Sequence, residues 1–208
     1  PVEKSPKPWS RNMFTAIRQD KTYSQLLILY FLYNVFVVQI FSFVNIYGFK
    51  EVKMVAATSA IMMLIAQISK CVTSAPLGLF IDRMTPKRTI PYLFILAASA
   101  LLVPVALPSG IGVYLSIAVS TIFTTGIISA QTALICGLPS PENRAGHFTI
   151  QIILMYVSWS LGPIMMGHLC DAFPYRLVFT AMATLALAFL PFSRYMLRRL
   201  PDDLKSYR

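Results

Sequence analysis

The sequence predicts an all-α membrane protein of six transmembrane helices, built as a three-plus-three inverted repeat. Three observations predict it: charge is scarce, apolar runs of spanning length recur six times, and the basic residues alternate between the loops. Only 12% of the 208 residues are charged and 56% are hydrophobic, with a mean hydropathy of +0.65. A soluble domain carries about 25% charged residues. The deficit is concentrated, because no Asp, Glu, Lys or Arg occurs between Arg88 and Glu142. Such a stretch suits lipid rather than water as its solvent.

A spanning helix needs about 20 mostly apolar residues. The first run lies between Lys21 and Lys50, with its span at 23–47. The second lies between Lys53 and Asp82, with its span at 54–80, and it holds one charge, Lys70. The third covers 91–107. Pro108, Ser109 and Gly110 form a turn before the fourth, at 111–138. The fifth covers 147–170. The sixth is short, 177–193, and Arg176 and Arg194 flank it where long basic side chains can reach the interfaces. The six-helix bundle therefore occupies residues 22–193, between a linker segment at 1–21 and a basic tail at 194–208. The opening PVEKSPKPWSRN is basic and proline-rich and lacks the apolar core of a signal peptide. Its start at Pro1 rather than Met points to a longer or processed chain.

The net charge is +10, which in a soluble protein would raise the question of nucleic acid. Here the basic residues sit in short clusters between apolar runs, so they report topology, and no nucleic-acid partner is expected. Five Lys/Arg precede the first span, three lie in the 82–88 loop, one in the 139–146 loop and five after residue 193. The opposite side has only Lys50, Lys53 and Arg176. This asymmetry predicts a multi-pass protein of the plasma (inner) membrane with both termini cytoplasmic. Cys71, Cys136 and Cys170 show neither a disulfide framework nor zinc spacing.

The chain also contains an echo. Gly78-Leu79-Phe80-Ile81-Asp82 precedes Pro86 and Arg88. Gly167-His168-Leu169-Cys170-Asp171 precedes Pro174 and Arg176. One copy ends the second span and the other ends the fifth. These are equivalent places in two triplets of opposite orientation, the pattern of an inverted repeat. The spans also differ in polarity. In the second, Ser59, Gln67, Lys70 and Ser74 fall within about 80° of arc, as do Ser116, Ser120, Thr124 and Gln131 in the fourth. The first carries Asn34, Gln39, Ser42 and Asn45, and the fifth Gln151 and Ser158. The third and sixth are almost wholly apolar. Polar groups in a membrane face protein or water. Helices 1, 2, 4 and 5 are thus expected to line a cavity, and 3 and 6 to face lipid. Hydroxyls that bond back to their own helix would account for most of these residues, but not for Lys70.

Several segments resemble the major facilitator superfamily. GLFIDRMTPKR, from Gly78 to Arg88, resembles its signature between the second and third helices of a half, roughly G-x-L-x-D-R-x-G-R-[RK]. Gly78, Asp82, Arg83 and Lys87 fit. Thr85 stands where the second glycine is usual, and Pro86 where an arginine is usual. PENRAGHF and LGPIMMGHLCDAFPYRLVF resemble the two ends of the eleventh helix, and FTAIRQDKTYSQLLIL the approach to the seventh. The fourth span lacks the arginine common in the N-terminal half, so the resemblance implies helices seven to twelve. It further implies that helices 7, 8, 10 and 11 line a central cavity, with a missing N-terminal six-helix half as partner. It gives Asp82 a gating role, as a carboxylate meeting a helix N-terminus across the interface between halves. A simple anchor pair at a helix end is the plainer reading of Asp82 and Arg83.

Lys70 is the sharpest single residue. A charge near mid-membrane costs at least about 2.5–3.5 kcal/mol on insertion scales. Binding an anionic substrate or pairing with an acid would retain it, and so would snorkelling. Gln67, Ser74, Asn34, Gln39, Asn45, Gln131 and Gln151 join it as candidate cavity residues. Gly162, Pro163 and Gly167 either bend a cavity helix or allow close packing. His147 and His168 sit near span ends, where an interfacial histidine competes with a proton relay. His168, Cys170 and Asp171 do not share a helix face, so no metal is expected, and nothing points to a cofactor. Trp9 and Trp159 read as interface or packing residues.

These readings converge on secondary transport of a small solute, with or without a coupling ion, by alternating access. The membrane domain of an ATP-driven transporter is the alternative, though its long coupling loop is missing. A membrane-embedded enzyme is the third, but no H-E-x-x-H, G-x-S-x-G, paired intramembrane aspartates or phosphate-binding glycine loop occurs.

Overall fold

A computed structural model describes residues 21–36, 39–137 and 144–198. Among them every regular element is a helix. α1 (Lys21–Phe36) and α2 (Ile40–Lys50) share the first span. α3 (Thr58–Met84), α4 (Pro86–Ala106), α5 (Gly110–Gly137), α6 (Arg144–Ala172) and α7 (Tyr175–Arg198) provide one span each. Among the described residues six spans are long and apolar enough to cross a membrane. Helices suit that solvent because each satisfies its own backbone. The basic segment 1–20, the 138–143 connection and the tail from 199 lie outside the described residues, with their share of the charge asymmetry. So do Trp9, the Cys136 side chain and parts of two of the segments compared above.

Prolines mark two of the helix starts. Pro86 opens α4 at its first position, where a missing N–H costs nothing. Pro174 immediately precedes α7, and its carbonyl accepts from the Leu177 and Val178 amides. Inside a helix a proline frees the carbonyl four residues before it. On α4 one such carbonyl receives a hydroxyl from another helix. Pro104 leaves the Ala100 carbonyl without its helical donor, and Ser116 of α5 donates to that oxygen. The Pro104 carbonyl lies in the last turn of α4, where carbonyls lack helical donors, and the Tyr47 hydroxyl of α2 donates to it at 3.3 Å.

Packing follows the repeat in outline. The second span packs on the fourth and the fifth packs on the first, which are equivalent pairs under exchange of the triplets. The third packs on the sixth. The symmetry is broken where α4 packs along α5 far more extensively than α7 packs on α1. Rings fill the core in two groups. Tyr33 meets Phe94 and Phe123 edge-on at 5.3 and 5.5 Å, and Phe94 stacks on Phe189. Toward the other end Tyr47 meets Phe179 at 5.5 Å and Tyr175 at 6.0 Å.

The third span departs from the expectation that it faces lipid. α4 buries Leu93, Phe94, Ala97, Ala98, Ala100 and Leu101 between α5 and α7, and turns one strip outward, Arg88, Tyr92, Ile95, Ser99, Leu102 and Ala106. An all-apolar helix suits a bundle interior as well as lipid, so hydropathy does not separate the two. The open helices are α3 and α6. α3 buries only Met62, Ala66 and Ile81. It exposes Ile61, Leu64, Ile68, Val72 and Leu79, and α6 exposes Ile153, Tyr156, Val157 and Ile164.

Candidate functional site

An open cleft of about 550 Å³ lies where the first, second, fourth and fifth spans meet. Gln39 and, on α2, Phe41 and Ser42 form one side. Lys70 enters from α3, and Trp159 from α6. α5 contributes Thr121, Thr124, Thr125, Ile128 and Ser129. No residue of α4 or α7 lines it.

Depth decides what Lys70 can do. It lies 12 residues after Thr58 and 14 before Met84, the ends of α3. At 1.5 Å per residue it is about 18–21 Å from either end. The hydrocarbon edge lies about 15 Å from mid-membrane, well beyond the reach of a four-carbon stem. Lys70 thus sits midway along its helix, farther from either end than its side chain reaches. Among the described residues it is the only charged side chain lining the cleft, and Glu51, Asp82 and Asp171 lie at or beyond helix ends.

The hydroxyls of α5 have a common geometry. Thr121 donates to the Ile117 carbonyl at 2.8 Å, Thr124 to Ser120 at 2.7 Å, Thr125 to Thr121 at 2.8 Å and Ser129 to Thr125 at 2.9 Å. Each spends its proton inside its own helix, where the alternative is an unsatisfied group in an apolar medium. Their oxygens keep lone pairs, so this wall accepts hydrogen bonds. The Trp159 indole N–H is also engaged, donating to Asn34 Oδ1 at 3.4 Å while the Asn34 amide donates to the Tyr30 carbonyl at 2.8 Å.

α6 reaches this position because Gly162 lets it approach. A Cβ there would lie 2.5 Å from Gln39 Cγ and 2.9 Å from the Val35 carbonyl. Gly162 is thus a close-packing residue at the cleft edge. Gly78 and Gly167, the paired glycines of the repeat, have nothing within 4 Å of an added Cβ. Pro163, beside Gly162, is exposed.

The predicted cavity residues divide. Lys70 and Gln39 line the cleft. Gln67 and Ser74 share the exposed face of α3 without lining it, and the Ser74 hydroxyl returns to the Lys70 carbonyl. Asn34 and Gln151 are buried, and Asn45 is half-buried. Gln131 is buried at a second, closed cavity of about 10 Å³, with Tyr30, Tyr33, Ile90 and Phe94 on its wall. Tyr33 Oη and Gln131 Oε1 have no hydrogen-bond partner there, and neither have Gln151 Oε1 and Asn45 Oδ1. That volume is about the size of one water, which the phenol and the amide could share. Thr121, Thr125 and Ser129 were missed because the polar arc read on the fourth span lies about a third of a turn away. Most of that arc, Ser116, Ser120 and Gln131, turns into the bundle. The missed residues do carry a signal, a hydroxyl at every fourth position.

At the end of α3, Asp82 and Arg83 are exposed and Lys87 is half-buried. Thr85, which replaces the usual glycine, has φ 69° and ψ 145°. This is a backbone region that glycine tolerates and β-branched residues resist. His147 is buried with its ring edge-on to Tyr23 at 4.3 Å, and His168 is exposed.

A polar cleft gathered from four of the spans agrees with one further finding. The family profile of the Major Facilitator Superfamily matches residues 27–206. The chain belongs to the Major Facilitator Superfamily. A comparison with curated proteins found none that matches it. As a superfamily member it is an integral, multi-pass membrane protein of a transporter family, and its six spans form a half-fold of that family.

Proposed function

We propose that this chain is the C-terminal six-helix half, helices seven to twelve, of a secondary transporter that moves a small solute by alternating access. The cleft is its contribution to the substrate site. One observation carries the reading: a mid-depth cation and a row of hydroxyls are gathered by the first, second, fourth and fifth spans and left open. In lipid such a surface is costly, so it calls for water and a facing wall. A second six-helix half provides that wall and covers α3 and α6, whose repeat glycines Gly78 and Gly167 leave room for close approach. Asp82 and Arg83 then gate the interface from the cytoplasmic side, where the basic loops and both termini lie.

The test is a single cysteine at Thr125 in the complete transporter, after removal of the native cysteines, in sealed liposomes. Labelling by an impermeant thiol reagent is expected, together with solute flux that needs no ATP. Labelling only by a lipid-soluble reagent means the cleft faces acyl chains and defeats the reading. Flux that requires ATP returns it to an ATP-driven transporter.

A further inference from the structure

We infer that the solute is an organic molecule with one carboxylate that also carries hydroxyl or ammonium donors, a hydroxy acid or a zwitterionic amino acid. The inference rests on the transport reading and adds the chemistry of the two cleft walls to it.

The α3 side presents one charge. Lys70 sits midway along α3, and among the described residues no carboxylate lines the cleft beside it. A bound anion neutralises it where water is displaced, and a neutral solute would leave it desolvated and unpaired. A cation would be repelled at short range, and a dianion would leave one charge unmatched on this wall. The α5 side presents acceptors. Thr121, Thr124, Thr125 and Ser129 donate inward to their own helix, so what they offer a solute is oxygen lone pairs spaced about a helical turn apart. Lone pairs pair with O–H or N–H groups, and a simple fatty-acid anion has none. One solute must therefore bring an anionic group to Lys70 and donors to the threonine row. Phe41 and Ile128 supply the apolar contacts for its carbon chain.

The complete transporter, purified in detergent, is tested by thermal shift with six probes. Gluconate, lactate and alanine carry both features. Hexanoate has the charge without donors, glucose has hydroxyls without charge, and choline has the opposite charge. At least one of the first three is expected to stabilise the protein, at least about tenfold more potently than hexanoate, glucose or choline. Lys70→Met should weaken that binding by about tenfold or more, as loss of a charged hydrogen bond does. Removing the mid-span charge favours insertion, and Lys70→Arg should restore part of the affinity if the variant chain is sound. Thr121→Val with Thr125→Val should narrow the preference for gluconate over hexanoate by at least about fivefold. The inference is overturned if glucose, choline or hexanoate binds best. It also fails if none of the first three binds while flux of another solute is measured, or if Lys70→Met leaves affinity unchanged. Loss of all flux, with Thr125→Cys sealed from impermeant reagent, instead defeats the transport reading beneath it.

Discussion

The bundle holds two polar regions of opposite character. In the cleft, polar side chains are open and their protons are committed: the α5 hydroxyls bond inward and leave lone pairs outside. In the closed pocket between α1, α4 and α5, Tyr33 and Gln131 are sealed among rings and leucines with polar atoms unpaired. By composition alone the two regions look alike. What separates them is where the unused hydrogen-bonding capacity points, toward a solute in one and into the bundle in the other. Changes in the cleft should therefore alter binding and spare stability, whereas changes in the sealed region should do the reverse.

The largest effect should come where the cleft edge is itself tight packing. Gly162→Ala puts a methyl 2.5 Å from Gln39 Cγ and 2.9 Å from a backbone oxygen. It should lower stability by about 1–3 kcal/mol, read as a fall in melting temperature, and should disturb Gln39 and hence affinity too. It is the one cleft change that breaks the division. On the sealed side, Ser116→Ala strips the Ala100 carbonyl of its donor in an apolar setting. A loss of about 1–2 kcal/mol is expected with affinity unchanged. Tyr33→Phe removes an unpaired buried hydroxyl. Melting temperature should hold or rise, by up to about 1 kcal/mol in stability, and a clear fall would show that the phenol is bonded after all. Thr125→Val, nearly the same shape, should change stability by less than about 0.5 kcal/mol while altering binding. Equal change in both would merge the two regions into one.

Much of this architecture was legible in the residues. Six spans stood out because charge is absent from each except at Lys70, and charge is what lipid excludes. Lys70 stood out for the same reason. The polar arcs lie on the four spans that line the cleft, but of the arc on α5 only Thr124 lines it. Serine and threonine return their hydrogen to their own helix on any face, so their periodicity does not tell cleft from core. Trp159 read as a packing residue because its place beside the cleft depends on Gly162, Asn34 and a helix far away in sequence. Ser116 could be understood only through Pro104, twelve positions earlier on a different helix.

That last pair bears on how the chain is made. On α4 the Ala100 and Pro104 carbonyls accept hydroxyls that come from one helix before it and one after. Tyr47 has already been synthesised when α4 leaves the ribosome, but Ser116 has not. Until the fourth span arrives, the third would enter lipid with the Ala100 oxygen bare. The two spans, joined by the short turn at Pro108, are therefore expected to leave the insertion machinery together as a hairpin. A nascent chain ending at residue 109 should integrate its third span less completely than one ending at residue 137. Ser116→Ala should remove most of the difference.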